Sequence, residues 1–215
     1  MKLSYTRFSF PLFIIASAFI ISSCKKDNNT TNNNQNTNTL PTPISNIVPQ
    51  TMVDSLRAAG TAINEGTTPP IVNGIYVMHP DSCTYDNSPG NLAGTLFSDY
   101  KFRFTNQDNV TFTISVEQKA IPAGTLSSTP VETYISGSGN NFSIFLLRTI
   151  SPQGITVQQF NILSGTLTSN GIQNLQNTLY MRSKGDDPTN AVVPAGTIRV
   201  FINGAAGLAE NATTF

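Results

Sequence analysis

The feature that most restricts the fold is an alternation with a period of two. Tyr100, Phe102 and Phe104 interleave with Lys101, Arg103 and Thr105, and Val110, Phe112, Ile114 and Val116 interleave with Thr111, Thr113, Ser115 and Glu117. Successive side chains of a strand point to opposite faces, so each segment has one face to bury and one to leave in water. A helix would scatter the same aromatics around its circumference. Between the segments, Asn106-Gln107-Asp108-Asn109 has the composition of a hairpin loop.

The same pattern continues along the chain. Further strands are expected over residues 74–78, 131–136, 142–150, 155–168, 172–182 and 197–202, separated by turn clusters such as Gly139-Asn140-Asn141, Pro152-Gln153-Gly154, Asn170-Gly171 and Pro194-Ala195-Gly196. Turn signals recur about every 10 to 17 residues, wider than the ~8–12 of an immunoglobulin-like sandwich. Long meandering strands, eight or nine of them, favour an all-β antiparallel meander closing into an up-and-down barrel, which removes exposed edges. A β-sandwich is the alternative. Ahead of the sheet, residues 49–59 place Met52, Val53, Leu56 and Ala59 at helical spacing, with proline suited to the first turn and Gly60 at the stop, so one short helix precedes the strands.

The amino-terminal region is organised differently. Lys2 and Arg7 precede an apolar run over residues 8–21, and Ser22 and Ser23 stand immediately before Cys24. That order is a signal peptide, and the run is shorter than the ~20 residues a membrane-spanning helix needs. Ile21-Ser22-Ser23-Cys24 resembles the lipobox of bacterial lipoproteins, with Ile for the usual Leu and Ser for the usual Gly. The resemblance implies cleavage before Cys24, lipidation of its thiol and anchoring to a membrane by acyl chains. Lys25-Lys26-Asp27 and the Asn/Thr tract after it look like the openings of Bacteroidota lipoproteins. Lys at position 25 favours the outer membrane, periplasmic or surface-exposed. Residues 27–39 contain no apolar side chain and cannot offset their ordering entropy, so they are expected to form a disordered tether. The organisation expected is a signal peptide at 1–23, lipidated Cys24 and tether at 24–42, and a single β-rich domain at 43–215.

Charge narrows the partners. The chain has 12 Lys+Arg against 12 Asp+Glu, and loss of Lys2 and Arg7 with the signal leaves a formal charge of −2. No nucleic-acid partner is implied. With Cys24 lipidated, Cys83 has no partner for an intramolecular disulfide.

Gly74-Ile75-Tyr76, on the first strand and just after the helix, resembles the Gly-x-Trp opening of the lipocalins, with Tyr in place of Trp. Arg199 on the last strand stands where their arginine packs over that aromatic. The resemblance implies a calycin-like barrel; its ligand positions do not carry over, because the family's other motifs are missing.

Catalytic signals are sparse. His79 is the single histidine, so any Ser-His or Cys-His arrangement must use it. His79, Asp81 and Cys83 fall at alternate positions with Asp86 close behind, a set able to face one metal ion, but it reads better as a polar loop with a half-buried cysteine. Asp186-Asp187 beside Gly185 and Pro188 reads as a tight turn rather than a calcium site. No nucleophile elbow, zinc-protease helix or phosphate-binding loop is present, and no cofactor is expected. The reading is a non-catalytic binding module for a small ligand, apolar ones among the candidates. Alternatives are an adhesin-like or assembly protein that binds protein or glycan, and an enzyme centred on His79.

Overall fold

The computed structural model describes residues 39–122, 132–204 and 207–215; the expected signal peptide, Cys24 and most of the expected tether lie outside them. Two short helices, α1 (Thr42–Ile47) and α2 (Gln50–Ala58), lead into twelve strands. These are β1 (Thr67–Thr68), β2 (Gly74–Met78), β3 (Asp81–Asp86), β4 (Leu96–Phe97), β5 (Asp99–Asp108), β6 (Thr113–Ile121), β7 (Glu132–Ser138), β8 (Asn141–Ile150), β9 (Val157–Thr168), β10 (Gly171–Lys184), β11 (Ile198–Asn203) and β12 (Leu208–Asn211).

Strands β2, β5, β6, β7, β8, β9, β10 and β12 form a closed antiparallel barrel of eight strands. Each pairs with the next in that order, and β12 joins the two ends by pairing with both β10 and β2. The barrel expected from the meander is thus the fold, and the sandwich is set aside. Closure depends on a bend in β10. Gln173 and Gln176 flank a register break at Asn174, whose φ is +53°, so one end of β10 pairs with β12 and the rest with β11. Because β3 follows β2 and pairs with β11, the pair β3–β11 carries the wall onward at one end of the barrel. The short β4 extends it by pairing with β3.

The interior at the other end is filled. Tyr76, Phe102, Phe104, Ile114, Ile135, Phe142, Ile144 and Leu163 are buried together, the aromatic stripe of β5 among them. Burial of side chains of this size contributes about 1.5–3 kcal/mol each and holds the barrel without a disulfide. A second core lies outside the wall. Ile44 of α1 and Val53 and Leu56 of α2 pack on the outward faces of Phe145, Phe160, Ile162 and Val200. Strands β8 and β9 are therefore buried on both faces, which explains their nearly continuous apolar runs. The segment after α2 is strapped to the same wall: Ala62 N donates to Gln176 Oε1 at 2.8 Å, and Asn64 N donates to Ser143 Oγ at 2.8 Å.

Three local expectations need correction. The polar segment after β2 is not a loop but strand β3, with Asp81 and Cys83 both buried. Val110 and Phe112 do not continue the alternation of β6. Asp108 Oδ1 accepts from Val110 N at 2.8 Å and its Oδ2 accepts from Thr111 Oγ1 at 2.8 Å, so the carboxylate stabilises a turn in place of ladder bonds. Val110 is left exposed and Phe112 adopts a φ of +59°. Finally, α1 and the closing strand β12 carried too few periodic residues to be anticipated.

Candidate functional site

The two ends of the barrel differ in chemistry. Along β6 the inward residues run Ile114, Val116, Gln118, and along β8 they run Phe142, Ile144, Leu146, Arg148. On β9, reading backwards, they are Leu163, Asn161, Gln159; on β10 Leu175 is followed by Asn177. Each alternation thus turns from apolar to polar at the same level. Register makes this happen: Arg148 stands opposite Gln159, Asn161 opposite Leu179, and Asn177 opposite Phe201.

The result is a polar half-lumen of about 270 Å³ at the end walled by β3, β4 and β11. Arg148, 3% exposed, donates from Nη1 to Gln118 Oε1 at 3.0 Å. Gln159 Nε2 donates to Asn161 Oδ1 at 3.1 Å, and Asn161 Nδ2 donates to Asn177 Oδ1 at 3.3 Å, a chain of carboxamides running from β9 to β10. Phe97 and Phe201 meet edge to face, with centroids 5.0 Å apart, and add an apolar wall.

Asp81 enters from β3, which follows β8 through β9, β10 and β11 in the order of paired strands. It is 2% exposed, and among the described residues its Oδ1 has no hydrogen-bond partner. Burial, with the nearby Asp99 carboxylate adding to it, pushes Asp81 up to about 7. Burial also pulls Arg148 down to about 10, which leaves it a cation at neutral pH.

A second cavity of about 550 Å³ lies against the same end, between residues 88–92 and 190–194. Arg199 lines both cavities. Each bordering loop is held by one aspartate. Asp86 accepts from Ser88 N at 2.7 Å, Leu92 N at 3.0 Å and Arg199 Nε at 3.0 Å. Asp187 accepts from Lys184 Nζ at 2.9 Å, Ala191 N at 2.8 Å and Val192 N at 3.1 Å. The lysine bond, followed by the two amides, holds Asp187 at about 2 against the opposing effect of desolvation. Asp187 anchors a turn, as its setting predicted. Asp186 takes no part in these bonds.

The residues singled out in the sequence are distributed as follows. His79 projects outward, 65% of its side chain exposed, with Nδ1 2.6 Å from Asp99 Oδ2. Asp81 and Cys83 face inward from β3, and Asp86 is tied to Arg199. Among the described residues no three of His, Cys, Asp and Glu come together as a metal-ligand group. Cys83 Sγ donates to Tyr85 O at 3.4 Å, and burial pushes the thiol up, against reactivity. Arg199 directs its hydrogen bonds to Asp86 and Ser88, while Tyr76 donates from Oη to Val72 O at 3.1 Å and packs on Phe104. Sequence reasoning missed Arg148, Gln118, Gln159, Asn161 and Asn177. Their signal is a single polar residue ending an apolar alternation, and it acquires meaning only when the strands are aligned. No protein-family model, curated protein or solved structure matches the chain.

Proposed function

We propose that this chain is a lipid-anchored, non-catalytic binding module of the cell envelope, held to the outer membrane through Cys24, whose barrel takes a small ligand into its polar end. The observation that carries the reading is the division of the interior. One half is packed with aromatic and aliphatic side chains, and the other keeps about 270 Å³ lined by a buried guanidinium, a carboxyl group and carboxamides. Convergent polar groups in a concave apolar frame are what a small-molecule site requires. The walls favour a polar ligand over the apolar one that a lipocalin-like barrel would lead one to expect. The larger cavity shares Arg199 with this half-lumen. His79 stands outside the lumen with its imidazole committed to Asp99, so a non-catalytic role fits better than an enzyme built on it.

Saturation-transfer NMR on the full chain in detergent, against a set of small sugars, amino acids and organic acids, tests the reading. Binders whose signals vanish in Asn177→Phe, a change that fills the lumen, are expected. Binding indifferent to that substitution, or no binder at all, overturns it.

A further inference from the structure

Asp81 lines the half-lumen with 2% of its surface exposed, and among the described residues its Oδ1 has no hydrogen-bond partner. A buried carboxyl oxygen left unsatisfied costs stability, and folded chains keep such groups chiefly at functional sites, where a bound molecule makes the missing bond. What Asp81 lacks is a donor. Its neighbours narrow the choice. Asp81 stands opposite Phe97 in the β3–β4 ladder, Phe97 meets Phe201 edge to face, and Tyr100 lines the same space.

The wall of β9 and β10 sets a second requirement. The carboxamide chain uses Gln159 Nε2 and Asn177 Oδ1, so its two ends are an acceptor, Gln159 Oε1, and a donor, Asn177 Nδ2. A molecule that reaches both Asp81 and this chain must donate at Asp81 and Gln159 and accept at Asn177. An ammonium only donates and a carboxylate only accepts, whereas a hydroxyl does both. A zwitterion would bring full charges out of water to meet neutral carboxamides, which offset little of that desolvation. Arg148 and Gln118 are engaged with each other and enter only as part of the wall. Size completes the description. At ~30 Å³ per water molecule, 270 Å³ corresponds to a ligand on the order of ten non-hydrogen atoms.

We propose that the half-lumen seats a small neutral polyhydroxylated ring, a monosaccharide or cyclic polyol, with one hydroxyl donating to Asp81, others meeting Gln159 and Asn177, and its C–H face against Phe97 and Phe201. The assignment rests on the reading of the barrel as a binding module and names the ligand class for it. The aromatic pair next to the carboxyl covers the apolar face that such a ring keeps between its hydroxyls.

The probes are ribose, glucose and myo-inositol, with glucosamine, glucuronate, serine and cyclohexanol as comparisons. They are added at pH 8 to the full chain in a detergent without sugar headgroups and followed by thermal unfolding and isothermal titration. At least one neutral polyol is expected to raise the unfolding midpoint and to bind on the order of 10-fold or more tighter than every comparison, the difference expected when one buried hydrogen bond is left unmade. Asp81→Asn keeps the shape but replaces a charged acceptor with a neutral one, and is expected to weaken the best binder on the order of 10-fold. Removing the buried ionisation is expected to make this variant the more stable protein at pH 8, so weaker binding by it does not report a folding defect. Unchanged affinity in Asp81→Asn, or a comparison that binds as tightly as the polyols, overturns the neutral-polyol assignment while the binding-module reading stands. If none of the probes binds, the assignment falls. If in addition no compound of the broader NMR set responds to Asn177→Phe, the binding-module reading falls with it.

Discussion

Arg199 and Asp86 stand opposite each other in the β3–β11 ladder, and Nε of Arg199 donates to Oδ2 of Asp86 at 3.0 Å. The pair joins two functions of the same place in the fold. Arg199 lines both cavities, while Asp86 fixes the loop bordering the larger one by accepting the amides of Ser88 and Leu92. Asp86→Ala leaves a guanidinium and two loop amides without their acceptor. It should cost about 2–4 kcal/mol in urea unfolding, and amide exchange at Ser88 and Leu92 should accelerate beyond the change elsewhere.

Asp81 gives the protein an unusual pH dependence. Its carboxyl is pushed from 3.8 to about 7 in the folded state, so between those values the folded protein holds a proton that the unfolded chain has released. Stability from this group is therefore greatest below about pH 4 and falls as the pH rises toward 7. The charges facing it are Asp99, itself paired with His79, together with Arg148, Arg199 and the phenol of Tyr100; Cys83 and Asp86 lie on its own strand. Asp81→Asn removes the ionisation while keeping the shape. The variant should be more stable than the parent by about 2–4 kcal/mol at pH 8, and the difference should shrink toward pH 5 in paired urea titrations. A constant difference across that range would refute the assignment.

Gly171 sits where β12 closes the barrel on β10. Its φ is +144°, and a Cβ there would lie 2.1 Å from the carbonyl oxygen of Ala209. Gly171→Ala is expected to lower stability by more than about 2 kcal/mol, through the backbone conformation and through displacement of β12. Thermal unfolding measures the loss, and exchange at the Ala209 and Glu210 amides locates it.

Cys83 is fully buried inside the barrel. Thiol labelling of the folded protein should be slow, limited by opening of the wall, and should become rapid only in denaturant. Rapid labelling under native conditions would show that the β3–β11 wall opens far more readily than its packing implies.

Much of the architecture was legible in the sequence because one-sided burial writes a period of two. Tyr100, Phe102 and Phe104 announce β5, and the residues 74–78 announce β2 at its observed bounds. Strand β3 was illegible for a physical reason. Its inward residues Asp81 and Cys83 face a polar cavity and a core neighbour, so the alternation that marks a strand is written in residues that read as loop. The site was harder still to read. Arg148 and Gln159 are adjacent only through the β8–β9 register, and Asn161 meets Asn177 only across β9–β10. No spacing along the chain encodes those meetings.

Whether the polar end of the barrel is a binding site is decided by mapping where a small ligand binds. Backbone and side-chain amide resonances of the full chain in detergent, recorded with and without a small molecule found to bind in the saturation-transfer set, would locate it. The largest shifts are expected to cluster at Gln118, Arg148, Gln159, Asn161 and Asn177, with smaller ones at Asp81 and Arg199. Shifts confined to outer loops, with those residues unmoved, would contradict it.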